Sequence, residues 1–164
     1  MFKSQGLTLI ELLVAISVLA IVTTLGVPSF RYFIETQHQD TAREKLVDSL
    51  HLSRLQAQRL KTNVYLCATD NGTSCGNDWS KGWMAYADKD RSNSLNAGDE
   101  IFLVYRGLQV EAITAGSNSL LFSPSGMMQS ETFDICSSFL AKKNSVDINS
   151  LGYINLGQSN ANHC

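Results

Sequence analysis

Proline is nearly absent from this chain. Only Pro28 and Pro124 occur in 164 residues, and neither proline nor glycine interrupts the stretch from Ser29 to Lys61. A helix can therefore run through that stretch unbroken. Charge is also scarce, at 17% of residues, with 13 basic side chains against 15 acidic ones and a net charge of −2. Without a basic excess, composition offers no argument for nucleic-acid binding. Cysteine is missing from the whole N-terminal third. No two of the four cysteines have the close spacing of a zinc site, and only His163 lies beside one of them. His38 and His51 have no Ser, Cys or acid at catalytic spacing and read as solvated surface residues. A G-x-S-x-G elbow, a phosphate loop, a metal-ligand cluster and a Ser/His/Asp grouping are all missing. The chain is not expected to be an enzyme or to carry a cofactor or a metal.

What the chain has instead is one long apolar run. A short polar leader, Met1 to Gln5, carries a single charge at Lys3. The run then extends from Leu7 to Val27, broken only by Glu11 and a few Ser, Thr and Gly residues, and Pro28 closes it. At 21 residues it is long enough to cross a bilayer as a helix. A secretory signal peptide places its small-residue cleavage site after the apolar core. Here the candidate cleavage point, Gly6, precedes the core, so a processed chain keeps its hydrophobic helix. Glu11 is the unusual residue. A carboxylate at the centre of a membrane helix costs roughly 2.5–3.5 kcal/mol and commonly has a partner or a function. Near the helix start the cost is smaller, and the macrodipole favours an anion.

From Ser29 the pattern stays helical but becomes amphipathic. Apolar or small residues recur at Phe30, Phe33, Ile34, Ala42, Leu46, Leu50, Ser53, Ala57 and Leu60, in steps of three and four with one gap. Charges of both signs fill the other faces. This predicts one nearly continuous helix from Leu7 to about Lys61, roughly 80 Å long, whose second half needs a partner for its stripe. After Thr62-Asn63 the period becomes strand-like. Candidate strands are Val64–Ala68, Trp83–Ala87, Ile101–Tyr105, Leu108–Ile113, Leu120–Phe122, Phe133–Cys136, Val146–Ile148 and Tyr153–Leu156, separated by Gly, Asn and Ser clusters. Asp70-Asn71-Gly72 is a turn signal, and the glycosylation-like Asn71-Gly72-Thr73 is read as that turn alone. The expected fold is α+β: a long N-terminal helix packed against an antiparallel β-sheet head. About 100–135 residues remain for that one domain once the membrane segment is set aside.

All four cysteines, Cys67, Cys75, Cys136 and Cys164, lie beyond the apolar run. An even count in an exported domain points to disulfides. Three pairings are possible. Pairing neighbours in sequence gives Cys67–Cys75, which clips a short loop, and Cys136–Cys164, which ties down the C-terminus. The loop Asp88 to Glu100 has oxygen ligands at alternating positions, as calcium loops do. The helix-loop-helix calcium pattern needs Gly at its sixth position and Glu at its twelfth. Asn93 and Asp99 stand there, and Lys89 and Arg91 add positive charge. The loop is expected to be a polar hairpin without metal.

The string Gly6-Leu7-Thr8-Leu9-Ile10-Glu11, followed by apolar helix, resembles the class III leader of type IV pilins and type II secretion pseudopilins. The resemblance implies cleavage after Gly6 by a prepilin peptidase on the cytoplasmic face and N-methylation of the new terminus at Leu7. It also implies that Glu11 faces the positive terminus of a neighbouring subunit in a filament. The usual first mature residue in that family is Phe, where this chain has Leu7. Further pieces resemble the GspH/FimT family of minor pilins and minor pseudopilins. They are Gly82-Trp83, Ala97-Gly98-Asp99-Glu100, Phe122-Ser123-Pro124-Ser125-Gly126, Phe133-Asp134-Ile135-Cys136, and Gly152 before a short strand near Cys164.

The resemblance implies four segments: a leader at 1–6, a transmembrane helix half at 7–28, an amphipathic helix half at 29–62 and a periplasmic β-rich head at 63–164. The function it implies is a minor pilin of a type IV pilus, assembled from the inner membrane with other pilin subunits and placed in a tip or initiation complex. The alternative is a minor pseudopilin of the type II secretion system. Some relatives bind DNA during natural transformation through arginines in a C-terminal Gly-Arg-x-Arg-like strand. Here that position reads Gly152-Tyr153-Ile154-Asn155, and Lys142-Lys143 is the only adjacent basic pair nearby. Affinity for DNA comes largely from neutralised phosphates, so DNA binding is not expected.

Overall fold

A computed structural model of the chain describes residues 8–137 and 139–160. The chain falls into two units, Met1–Ile34 and Glu35–Cys164. One helix, α1, spans Leu9–Leu60, so its earlier residues belong to the first unit and its later ones to the second. The predicted first residue, Leu7, lies outside the described residues. The Thr8 hydroxyl accepts a hydrogen bond from the Glu11 amide at 3.3 Å, which caps a donor that the first turn would otherwise leave unpaired.

In the first unit every described side chain from Thr8 to Phe33 is exposed. Ser17, Thr23 and Thr24 turn their hydroxyls back onto the carbonyls of Leu13, Leu19 and Ala20. That is how an apolar helix tolerates hydroxyl side chains without exposing them to hydrocarbon. Pro28 sits inside the helix and has no N–H, so the Thr24 carbonyl loses its usual partner one turn on.

In the second unit α1 ends at Leu60, and Lys61 adopts a left-handed conformation at φ 55°, the common way to stop a helix. The Thr62 hydroxyl then donates to the Asp88 carbonyl, and the chain enters β1 (Asn63–Ala68) directly. The remaining strands are β2 (Gly82–Asp88), β3 (Glu100–Arg106), β4 (Ala112–Ala115), β5 (Ser119–Phe122), β6 (Glu131–Ser137), β7 (Lys142–Ile148) and β8 (Ile154–Asn160). They form two four-stranded sheets, ordered β3-β2-β1-β5 and β4-β6-β7-β8, with every pairing antiparallel.

The single expected sheet is thus two. The chain leaves the first sheet at Gly107 (φ 77°), and Leu108 and Val110 then pack on the core without strand pairing. For that reason the candidate strand Leu108–Ile113 pairs only from Ala112 onward. β5 returns to the first sheet against β1, and β6 to β8 build the second.

Strand alternation sorts the side chains of β1 and β2 cleanly. Val64, Leu66 and Ala68 of β1 and Trp83, Ala85 and Ala87 of β2 join Ala42, Leu46, Leu50 and Ala57 of α1 in the main core. Phe122, Phe133, Ile135 and Val146 complete it. Cys67, Met84 and Tyr86 point the other way and form a small second cluster with Tyr65 and Leu95. β2 is therefore buried on both faces, along its whole length.

The helical stripe is found where the period placed it from Ala42 to Ala57. Phe30 and Phe33, in the first unit, are instead exposed, at 65% and 56%, and Leu60, the last residue of α1, is exposed as well. The stripe also holds polar residues that the apolar period missed. Gln39 is buried and donates to the carbonyls of Ile135 and Lys142 at 3.4 and 3.2 Å. Ser49 is buried as well and accepts the indole N–H of Trp83.

Candidate functional site

Glu11 stands in the first turn of α1, near the positive end of the helix dipole. Around it Leu9, Ile10, Leu12, Leu13 and Val14 are all exposed, Leu9 to 82%. Among the described residues the Glu11 carboxylate has no cationic partner. The segment thus presents a continuous apolar surface with one acid on it. Such a surface is stable only in hydrocarbon or against other apolar helices. In either place an unpaired carboxylate is costly. The cleavage and methylation positions, Gly6 and Leu7, lie outside the described residues.

In the head the Cys67–Cys75 disulfide is present. It closes the loop between β1 and the single 3₁₀ turn Trp79–Lys81, as pairing by sequence proximity expected. The companion expectation, Cys136–Cys164, rests on Cys164, which lies outside the described residues. Cys136 itself is buried on β6.

The loop between β2 and β3 brings the carboxylates of Asp88, Asp90 and Asp99 together, with ligand oxygens within 4.8 Å of one another. All six oxygens accept a hydrogen bond from the loop itself. Asp88 takes the amides of Ser92 and Asn93. Asp90 takes the Ser92 amide and the Asn96 side chain. Asp99 takes the amides of Lys89 and Asn96. The Asn96 and Ser92 bonds hold the Asp90 carboxyl below its ordinary pKa. At the loop's base Lys89 pairs with Glu100 at 2.8 Å and lowers the Glu100 pKa likewise. These acids organise a hairpin by gathering its own amides, as Asx-type turns do.

The C-terminal motif residues converge on one helix side chain. Arg54 donates from Nε to the Gly126 carbonyl at 3.0 Å and from Nη1 to the Gly152 carbonyl at 3.4 Å. Both glycines have positive φ, 82° and 80°. A Cβ on Gly152 would lie 2.5 Å from Arg54 Nη1, and one on Gly126 would lie 2.2 Å from Gln58 Nε2. The two glycines are thus required by turn conformation and by close approach to α1. Nothing in the sequence linked them to Arg54, because that contact spans 72 and 98 residues.

The basic pair is not a free patch. Lys143 forms an ion pair with Asp134 at 2.7 Å, and both residues sit within the second sheet on β7 and β6. In the segment Gly152-Tyr153-Ile154-Asn155, β8 starts at Ile154 and the Tyr153 side chain is exposed.

Residues 42–152 match the family model described as Type II transport protein GspH. Residues 1–27, which include Glu11, match the prokaryotic N-terminal methylation motif. No curated protein matches the chain. Among solved structures the fold is similar to the type IV minor pilin FimU of Pseudomonas aeruginosa. The TM-score is 0.58 at 21% identity, covering 76% of this chain and 92% of that one. It is also similar to the minor pseudopilin EpsH from the type 2 secretion system of Vibrio cholerae. There the TM-score is 0.52 at 10% identity, covering 73% of this chain and 96% of that one. With an N-methylation motif ahead of a head domain that matches over most of its length, the chain belongs to the GspH family and is a minor pilin or pseudopilin.

Proposed function

We propose that this chain is a structural, non-enzymatic minor pilin of a type IV pilus. The observation that carries the reading is the exposed apolar stretch of α1 with its single carboxylate at Glu11. In this reading residues 7–28 hold the precursor in the inner membrane as a single span, with the head at 63–164 in the periplasm. A prepilin peptidase cuts after Gly6, and the new terminus at Leu7 is N-methylated. On assembly the apolar helix leaves lipid for the helices of neighbouring subunits. Glu11 then meets a terminal ammonium there. Each charge is costly alone in an apolar surrounding, and together they are tolerable.

A second reading is favoured by the family match itself, which is described for type II transport. It keeps the same processing and packing and places the chain as a minor pseudopilin of a type II secretion system. The choice of the pilus rests on the head: a disulfide-clipped loop and a densely self-bonded polar loop suit a subunit carried to the cell surface, and in this reading the chain takes a place near the filament tip.

Mass spectrometry of pili sheared from the cell surface separates the two. Recovery of this chain with an N-terminal peptide starting at methylated Leu7 is the expected result. Its absence from well-sampled pili, with processed chain present in membranes, would favour the secretion machine. A chain retaining residues 1–6 would overturn the leader reading.

A further inference from the structure

The outer face of the first sheet carries a cleft of about 680 Å³, on the side turned away from the helix residues of the same unit. Tyr65 of β1 and Tyr86 of β2 are register partners, and their rings stack with centroids 5.2 Å apart and planes 16° apart. They form the floor with Ile101, which pairs with Tyr86, and Ser119, which pairs with Cys67. One wall is the disulfide loop at Thr73, Ser74 and Cys75, and the other is the segment Asn93 to Asn96 with Asp99.

Three features define what the cleft can hold. Its lining contains no Lys, Arg or His, so it has nothing to neutralise a phosphate or a carboxylate. Its polar groups are hydroxyls and carboxamides, from Thr73, Ser74, Ser94, Ser119, Asn93 and Asn96, which both donate and accept, and one carboxylate, Asp99, whose two oxygens already accept the amides of Lys89 and Asn96. Its floor is aromatic, and the half-buried Tyr65 is oriented by donating its hydroxyl to Asn93 Oδ1 at 3.0 Å. Both walls are held before any ligand arrives, one by the Cys67–Cys75 bond and the other by the amides gathered on Asp88, Asp90 and Asp99. A prearranged, mostly apolar concavity with a few convergent polar groups is the usual form of a small-molecule site.

We propose that this cleft binds a neutral oligosaccharide. A pyranose ring has an apolar face of C–H bonds that suits the negative face of an aromatic ring. Its edge of hydroxyls suits amides and hydroxyls, and it carries no charge that the cleft would fail to meet. The site is independent of the helix and of which filament the chain enters, so its failure would leave the assembly reading untouched.

The test is saturation-transfer NMR on the full chain in dodecylphosphocholine, since sugar-based detergents would compete. Cellotriose and N,N′,N″-triacetylchitotriose serve as probes, and maltose-6-phosphate as an anionic control. Saturation of pyranose ring protons for a neutral probe, weak and millimolar, is expected. Tyr65→Ala should weaken it about tenfold by removing the aromatic contact and its polar tip. Because Tyr65→Ala also disturbs packing, Thr73→Arg is the second variant; it fills the exposed rim without touching a buried residue and should abolish binding. No saturation with either neutral probe would overturn the proposal. So would saturation that persists undiminished in both variants, or a preference for the phosphorylated sugar.

Discussion

Trp83 donates its indole N–H to the Ser49 hydroxyl at 2.8 Å, both side chains being buried at the join of β2 and α1. The same hydroxyl donates onward to the Lys45 carbonyl at 2.6 Å. Ser49→Ala strands the indole donor without water, which costs about 1–3 kcal/mol. Ser53 is the control. It is equally buried, but its hydroxyl only adds to the Ser49 carbonyl, an acceptor the helix already uses. Thermal melting should show a clear loss for Ser49→Ala and a small one for Ser53→Ala. Equal melting temperatures would refute the assignment.

Gly152 and Gly107 separate strain from crowding. Both have φ near 80°, but a Cβ on Gly107 meets nothing within 4 Å, whereas one on Gly152 meets the Arg54 guanidinium. Gly107→Ala should cost about 1 kcal/mol, the conformational strain alone. Gly152→Ala should cost about 2–3 kcal/mol, because Arg54 must also give up its carbonyl partners. Denaturant midpoints of the two variants check the ordering.

Removing the disulfide by Cys67→Ala with Cys75→Ala releases a loop with a sequence separation of 8. A loop of this size accounts for about 2–3 kcal/mol of chain entropy. Chemical denaturation under oxidising conditions should show that loss. An unchanged midpoint would mean that the loop's own bonds hold it, among them the amides of Thr73 and Ser74 on Asn71 Oδ1.

Alkaline stability follows from Tyr86. Burial, then Tyr65 and the neighbouring Asp99 and Asp88, push its pKa up to about 12. Below pH 10 both folded and unfolded chains hold the proton, and stability is full. Between pH 10 and about 12 the unfolded chain loses it first, so stability falls by about 2–3 kcal/mol as pH rises through that window. Tyr65, raised by burial and by Asp88, adds to the same loss. Melting of Tyr86→Phe should be flatter than wild type above pH 10. A parallel decline in both proteins would contradict the cause given.

Glu11→Ala should leave head stability unchanged, since the side chain is exposed and makes no ion pair among the described residues. Assembly should suffer instead, because the ammonium it is proposed to meet would be left buried alone, a loss of about 3–5 kcal/mol. Copurification of the variant with sheared filaments reads this out. Normal incorporation would remove the pairing.

The elements that apolar pattern alone defines were legible from the residues. The run of β1, β2, β3 and β6 matched to within a residue or two, because each alternates or is apolar throughout. β7 was seen only at Val146–Ile148, yet it begins at Lys142. Its first half, Lys142-Lys143-Asn144-Ser145, is polar, and it pairs because β6 supplies the partner. β8 ran on through Gly157-Gln158-Ser159 for the same reason. The polar seats of the helix, Gln39, Ser49 and Arg54, were illegible because their partners lie from 34 to 103 residues away. The Tyr65–Tyr86 cleft was hidden likewise: strand propensity marks both tyrosines, but only register places them side by side.

The join between α1 and β1 has a mechanical meaning. Only Lys61 and Thr62 separate helix from strand, and β1 lies inside its sheet between β2 and β5. A tug on the helix is delivered to a strand zipped on both flanks. Each residue that peels away must break bonds on both flanks, where an edge strand would break them on one. A head pulled through its helix therefore resists more at this join than it would if β1 lay at a sheet edge.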